Sequence, residues 1–105
     1  MLMNDLPEDV YLTVVAYCRG YGRRRRYLAS AGAGVIRDYS EFVNQAIDRA
    51  VSESCDRWLA PHMVRCIAEY VGFNRFPLNH QISKASYYEQ KRASVLAIAR
   101  AFHLL

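Results

Sequence analysis

The stretch "IRDYSEFVNQAIDRAVSESCDRWL", residues 36–59, decides the fold. Ile36, Tyr39, Val43, Ile47, Ala50 and Val51 recur at helical spacing, and Cys55, Trp58 and Leu59 carry the stripe onward. This periodicity predicts one long amphipathic helix. Pro61 ends it or occupies the first turn of a following helix, because proline lacks the N–H that an interior helical position needs. Met63, Val64, Ile67, Ala68 and Val71 then form the stripe of that next helix.

Working outward toward the N-terminus, Asp5 and Glu8 make a capping-box-like start for a helix from about Leu6 to Arg19, with Val10, Val14 and Tyr17 on its apolar face. Gly20 and Gly22 interrupt it. "RRRRYLAS" is expected to form a short second helix before the turn at "AGAG", residues 31–34. Toward the C-terminus, Gly72 and Pro77 bracket a turn, "GFNRFP". No stretch alternates at period two, so no strand is required. The expected fold is all-α: a small helical bundle in a single domain, 1–105. Residues 1–35 carry the N-terminal helices and the basic run, 36–72 the central helices, and 78–105 a final helix. Trp58, Ile47, Val64, Ile67, Val95 and Phe102 are the expected core, with Tyr39, Tyr70 and Phe73 beside Trp58.

That final segment, "QISKASYYEQKRASVLAIARAFHLL" from Gln81 to Leu105, changes character halfway. Lys84, Tyr88, Lys91, Val95, Ile98 and Phe102 share one helical face, basic and aromatic at its start and apolar at its end. The second half should pack and the first half should project toward a partner. Ser83 is a candidate N-cap, as is Ser86 with Glu89 three residues on. A helix start offers unpaired N–H groups and the positive end of the macrodipole, both suited to phosphate. Ser83, Lys84, Ser86, Lys91 and Arg92 are candidate backbone contacts, and Gln90 is of a type that reads base edges.

Charge supports this direction. The chain has 14 basic and 10 acidic residues, net +4. Residues 1–26 carry +2, residues 27–69 carry −2 and residues 70–105 carry +4, so the surplus sits at the two ends. Such asymmetry suits a polyanion. The run Arg23, Arg24, Arg25 and Arg26, between Tyr21 and Tyr27, is a second candidate for phosphate contact. The competing role for these arginines is pairing with Asp48, Glu53 and Asp56.

The residues "ISKASYYEQKR" followed by "SVLAIARAF" resemble the C-terminal helix-turn-helix of small phage-encoded transcription regulators of the ArpU/RinA group, which is similar to sigma-factor region 4. Ile82 and Ser83 stand at the turn-to-helix junction, Tyr87 and Tyr88 at the paired aromatics, Lys91 and Arg92 in the basic stretch. Val95, Ile98 and Ala99 match the packing positions, and Ser94 stands where the family usually has Ala. His80 replaces an apolar residue of the pattern, and Pro77 falls inside its first helix. The resemblance covers the last quarter of the chain. It implies a helix-turn-helix-like pair at the C-terminus and a DNA-binding transcriptional regulator from a phage or prophage. It also implies double-stranded DNA as partner, RNA polymerase or another protein as a further one, and a homodimer, for which the middle helix offers an apolar face.

Two other readings come from different classes. One is a small helical interaction module, such as a host-factor inhibitor or an adaptor, presenting Tyr87, Tyr88 and the lysines to an acidic surface. The other is a DNA-packaging protein like a terminase small subunit. Three cysteines (Cys18, Cys55, Cys66) without framework spacing predict free thiols in a reducing compartment. "MLMNDLPEDV" has no basic region ahead of an apolar one, and no apolar run approaches the ~18 residues of a spanning helix. The expectation is a soluble cytoplasmic protein away from the membrane. His62, Cys66 and Cys55 lack the paired motifs of a zinc site, and no phosphate loop or nucleophile elbow is present. No metal, no cofactor and no enzyme activity are expected.

Overall fold

A computed structural model describes residues 6–30 and 32–105. Among these residues there are five α-helices and no strand: α1 (Glu8–Arg19), α2 (Tyr21–Ser30), α3 (Val35–Ser54), α4 (Ala60–Ala68) and α5 (Lys84–Ala101). Two 3₁₀ turns, Phe73–Arg75 and Asn79–Gln81, lie between α4 and α5. The fold is an all-α bundle, as the periodicities require. Asp5 and Ala31 lie outside the described residues, so the capping role of the first and the full "AGAG" turn are not described.

The long helix is α3, and it stops earlier than its stripe suggests. Cys55 is extended (φ −125°, ψ 154°), so Trp58 and Leu59 belong to the corner before α4. Gln90 on α5 holds this corner: its Oε1 accepts from the Asp56 N–H at 2.8 Å and its Nε2 donates to Asp56 Oδ2 at 3.0 Å. A fixed amide reaching both the backbone and the side chain of one residue is a tertiary contact that no local pattern reveals.

Val14, Val15, Val43, Ile47, Val51, Leu59, Met63, Ile67, Val95 and Ile98 form the centre of the core. Of the expected core residues, Ile47, Ile67 and Val95 are fully buried. Trp58, Val64 and Phe102 are half-buried and pack against the core. Tyr39 and Tyr70 are not core residues: both are exposed. Helix α5 runs antiparallel to α3, with Ser54 beside Ala93 at one end and Phe42 beside Phe102 at the other.

Two helices end in the same way. Beyond α4, Tyr70 takes φ +53°, Val71 N–H bonds to Cys66 C=O at 2.9 Å and Tyr70 N–H to Ile67 C=O at 3.4 Å. Beyond α5, His103 takes φ +58°, Leu104 N–H bonds to Ala99 C=O at 2.8 Å and His103 N–H to Arg100 C=O at 3.1 Å. Both are Schellman motifs that place a side-chain-bearing residue where glycine is favoured. The left-handed position leaves the Tyr70 ring exposed, with the Tyr11 ring tilted against it at 6.2 Å and the Arg19 guanidinium 5.3 Å from its centroid. That is why a residue expected beside Trp58 ends up at the surface.

Candidate nucleic-acid interface

The start of α5 is built from a cap and an anchor. Ser83 is the N-cap, its Oγ accepting from Ser86 N–H at 3.1 Å. One turn further, Tyr87 is fully buried and its hydroxyl donates to the Val71 carbonyl at 2.6 Å. Lys91, only 7% exposed, donates from Nζ to the same carbonyl at 2.9 Å, its ammonium 5.9 Å from the Tyr87 ring centroid. Burial holds the Lys91 pKa below the ordinary lysine value, and Arg75 adds to the effect against the opposing influence of Cys66. The first half of α5 is therefore packed along its inner face as the second half is. The lysine stands on the core stripe because the chain leaving α4 presents a carbonyl there, and a cation suits a helix C-terminus.

This places the sequence-derived site residues in three groups. Tyr87 and Lys91 face inward. Tyr88 Oη accepts from the Phe73 N–H at 3.0 Å, and Gln90 holds the Asp56 corner and also donates to Ser86 Oγ at 3.1 Å. Neither Gln90 nor Lys91 stands ready for a base or a phosphate, since each already holds a protein partner. The exposed residues at this end are Ser83, Lys84, Ala85 and Glu89, with Arg92 half-buried beside them. Lys84, Tyr88, Glu89 and Arg92 line a groove completed by Glu53 and Arg100.

The arginine run divides too. Arg24 turns into the fold, its Nε donating to Asn44 Oδ1 at 2.7 Å and a terminal nitrogen to the Tyr17 carbonyl near the end of α1. A Cβ at Gly20 would fall on that guanidinium, so glycine opens the space it occupies. Arg23, Arg25 and Arg26 are exposed. Asp48, one of the acids the sequence offers as a partner for the run, accepts from Tyr21 Oη at 2.6 Å. Burial and this Asp48 contact push the Tyr21 hydroxyl up to about 12. Helix α2 meets α3 at Asn44 and Asp48, whereas α5 meets it at Phe42 and Ser54. These contacts put the two basic groups on different flanks of α3, so the structure does not bring them together.

Four of the fourteen basic residues have a common structural use. Arg19 Nε donates to the Ala68 carbonyl at 3.1 Å and Arg37 to the Leu28 carbonyl at 3.0 Å. With Arg24 and Lys91, four cations thus neutralise carbonyls near helix C-termini. Among the described residues, every buried side-chain nitrogen and oxygen has a partner.

Helix α4 and helix α5 are separated by residues 69–83, with two 3₁₀ turns between them. This is longer than the three- or four-residue turn of a helix-turn-helix. Pro77 and the Gly72 junction account for it, since neither favours helix at that point. The three cysteines are free, and burial pushes the Cys18 thiol up to about 12. Among the described residues no group of three or more His, Cys, Asp or Glu comes together as a metal site would need. No helix among the described residues is long and apolar enough to cross a membrane.

The sequence reading gave the middle helix an apolar face for a partner but did not say which of its residues stay outside the core. Val35, Ile36, Tyr39 and Phe42 on the first half of α3 are 84%, 66%, 54% and 62% exposed. The signal was present as a second apolar spacing on the same helix, offset from the core stripe. No protein-family model, curated protein or solved structure matches this chain.

Proposed function

We propose that the chain binds double-stranded DNA and regulates transcription, as its likeness to phage-encoded regulators implies, with the exposed start of α5 entering the major groove. One observation carries the reading: α5 is fixed from inside by the Tyr87 and Lys91 bonds to Val71, while Ser83, Lys84, Ala85 and Glu89 stand exposed at its start. A recognition helix needs that combination of a rigid inner face and a free outer one. In this reading Lys84 and the free N–H groups of the first turn meet phosphate. Glu89, rather than Gln90, is the base-edge residue, since glutamate accepts from cytosine N4. Arg23, Arg25 and Arg26 add salt-sensitive affinity without sequence information.

Selection of bound sequences from a random duplex pool tests this. Glu89→Gln is expected to relax the preference at one base pair at a cost of about 1–3 kcal/mol for the preferred site. Lys84→Ala should weaken all sequences alike. An unchanged sequence preference in Glu89→Gln would remove Glu89 from the interface.

A second reading, a helical module that binds another protein, is favoured by the exposed Val35, Ile36, Tyr39 and Phe42. RNA polymerase or another protein is the partner class it leaves open, and pull-down lost with Tyr39→Ser would support it.

A further inference from the structure

The solvent side of α3 carries a regular seam. Val35, Tyr39, Phe42, Ala46, Arg49 and Glu53 follow one another at alternating spacings of four and three, the a/d rhythm of a helix that packs against another helix. The core side of the same helix is already filled by Ser40, Val43, Asn44, Ile47, Ala50 and Val51. The seam is therefore an independent face. We infer that it is the interface with a second copy of this chain, the two α3 helices packing antiparallel about a two-fold axis at Phe42.

Size is the first argument. Phe and Tyr side chains bury roughly 150–250 Å² each, so the exposed fractions of Tyr39 and Phe42 leave roughly 100 Å² apiece in the open. Val35 brings the apolar total of the seam to roughly 300 Å², more than a third of what each partner contributes to a standard interface. Asp38 and Gln45 beside the seam, with Arg49 at its far part, are all exposed and extend the footprint with a polar rim.

Complementarity fixes the partner and the direction. With the axis at Phe42 and a rise of about 1.5 Å per residue, Phe42 meets its own copy. Tyr39 then lies over the small Ala46 of the other protomer, offset by about 1.5 Å along the axis. Val35 sits level with Arg49 across the interface and packs on its aliphatic stem. Asp38 is about 4.5 Å from Arg49 along the axis, within reach of the guanidinium, and the two-fold repeats the pair. A parallel pairing would set Asp38 against Asp38 and Arg49 against Arg49. Tyr39 thus meets a small residue, and acids meet bases, only when the helices are antiparallel. Phe102 touches Phe42 edge-on at 6.4 Å, which steadies the central ring in the monomer.

The contacts of this interface run from Val35 to Arg49 and include none of the exposed residues at the start of α5, so its test needs no DNA. Sedimentation equilibrium of the full chain from low micromolar to near-millimolar concentration should show a species of twice the chain mass. Phe42→Glu should leave a monomer with an unchanged circular dichroism spectrum. Asp38→Arg alone and Arg49→Asp alone should each weaken association about tenfold or more, and the double swap should restore it to within about threefold of the native protein. The swap residues are exposed, so they decide the matter even where Phe42→Glu disturbs folding. A native protein that stays monomeric throughout, association indifferent to Phe42→Glu in a folded variant, or a double swap that fails to recover would overturn the inference.

Discussion

Two donors share one acceptor at the Val71 carbonyl, and that arrangement makes a quantitative demand. Tyr87→Phe removes the hydroxyl bond of 2.6 Å and leaves the Lys91 bond of 2.9 Å in place. The acceptor stays paired, so the cost should be that of an ordinary hydrogen bond, about 0.5–1.5 kcal/mol. Lys91→Met removes a charge-assisted bond worth about 1.5–3 kcal/mol, but it also relieves the desolvation of a nearly buried ammonium, a penalty of several kcal/mol per ion before compensation. The two terms oppose each other, and the net change should lie within about 1.5 kcal/mol of zero. The double variant is different, because it strips the carbonyl of both side-chain donors. An unpaired acceptor in a buried site costs about 1–3 kcal/mol, and this carbonyl is part-buried, so the double variant should exceed the sum of the singles by about 1 kcal/mol. Urea unfolding of the four proteins closes the cycle, provided the slopes agree. Additivity within about 0.3 kcal/mol would refute the shared-acceptor reasoning. The pH dependence supplies a second check. Because the folded pKa of Lys91 is lowered, its contribution to stability is lost as pH falls through that folded value. The native protein should therefore gain stability relative to Lys91→Met as pH rises from the lowered pKa toward the ordinary lysine value.

Ser83→Ala should destabilise the fold by about 1 kcal/mol, the usual cost of losing an N-cap bond, as read from the denaturant midpoint; no change would mean that the Ser86 N–H finds water equally well. His103→Gly should stabilise by up to about 1 kcal/mol, because the left-handed residue after α5 then carries no Cβ penalty, and a lower melting temperature would contradict the Schellman assignment. Thiol labelling of the native protein near pH 8 should modify the half-buried Cys55 first, with Cys18 and Cys66 reacting only on unfolding; equal rates for all three would contradict their burial.

The fold was legible where one helix face is buried and the pattern is long. The α3 stripe, the break at Gly20, the turn before Pro77 and the Ser83 cap all follow from local chemistry. What was not legible depends on partners distant in sequence. Nothing local says that Gln90 clamps Asp56, or that Lys91 and Tyr87 converge on Val71. A lysine on an apolar stripe looks like a binding residue until the carbonyl it neutralises is known. The same holds for Arg24, one of four consecutive arginines, which differs from its neighbours only because it reaches Asn44 and the end of α1. Tyr39 was misplaced for another reason: α3 has two apolar faces, and a single-stripe reading assigns both to the core.

Titration of isotope-labelled protein with a random DNA duplex at low salt, followed by amide chemical shifts, tests the central claim most directly. Shifts should concentrate at Ser83, Lys84, Ala85, Glu89 and Arg92, fade as salt is raised, and diminish in Lys84→Ala. A folded protein whose spectrum does not change at the lowest salt, or changes only along Val35, Tyr39 and Phe42, would contradict it.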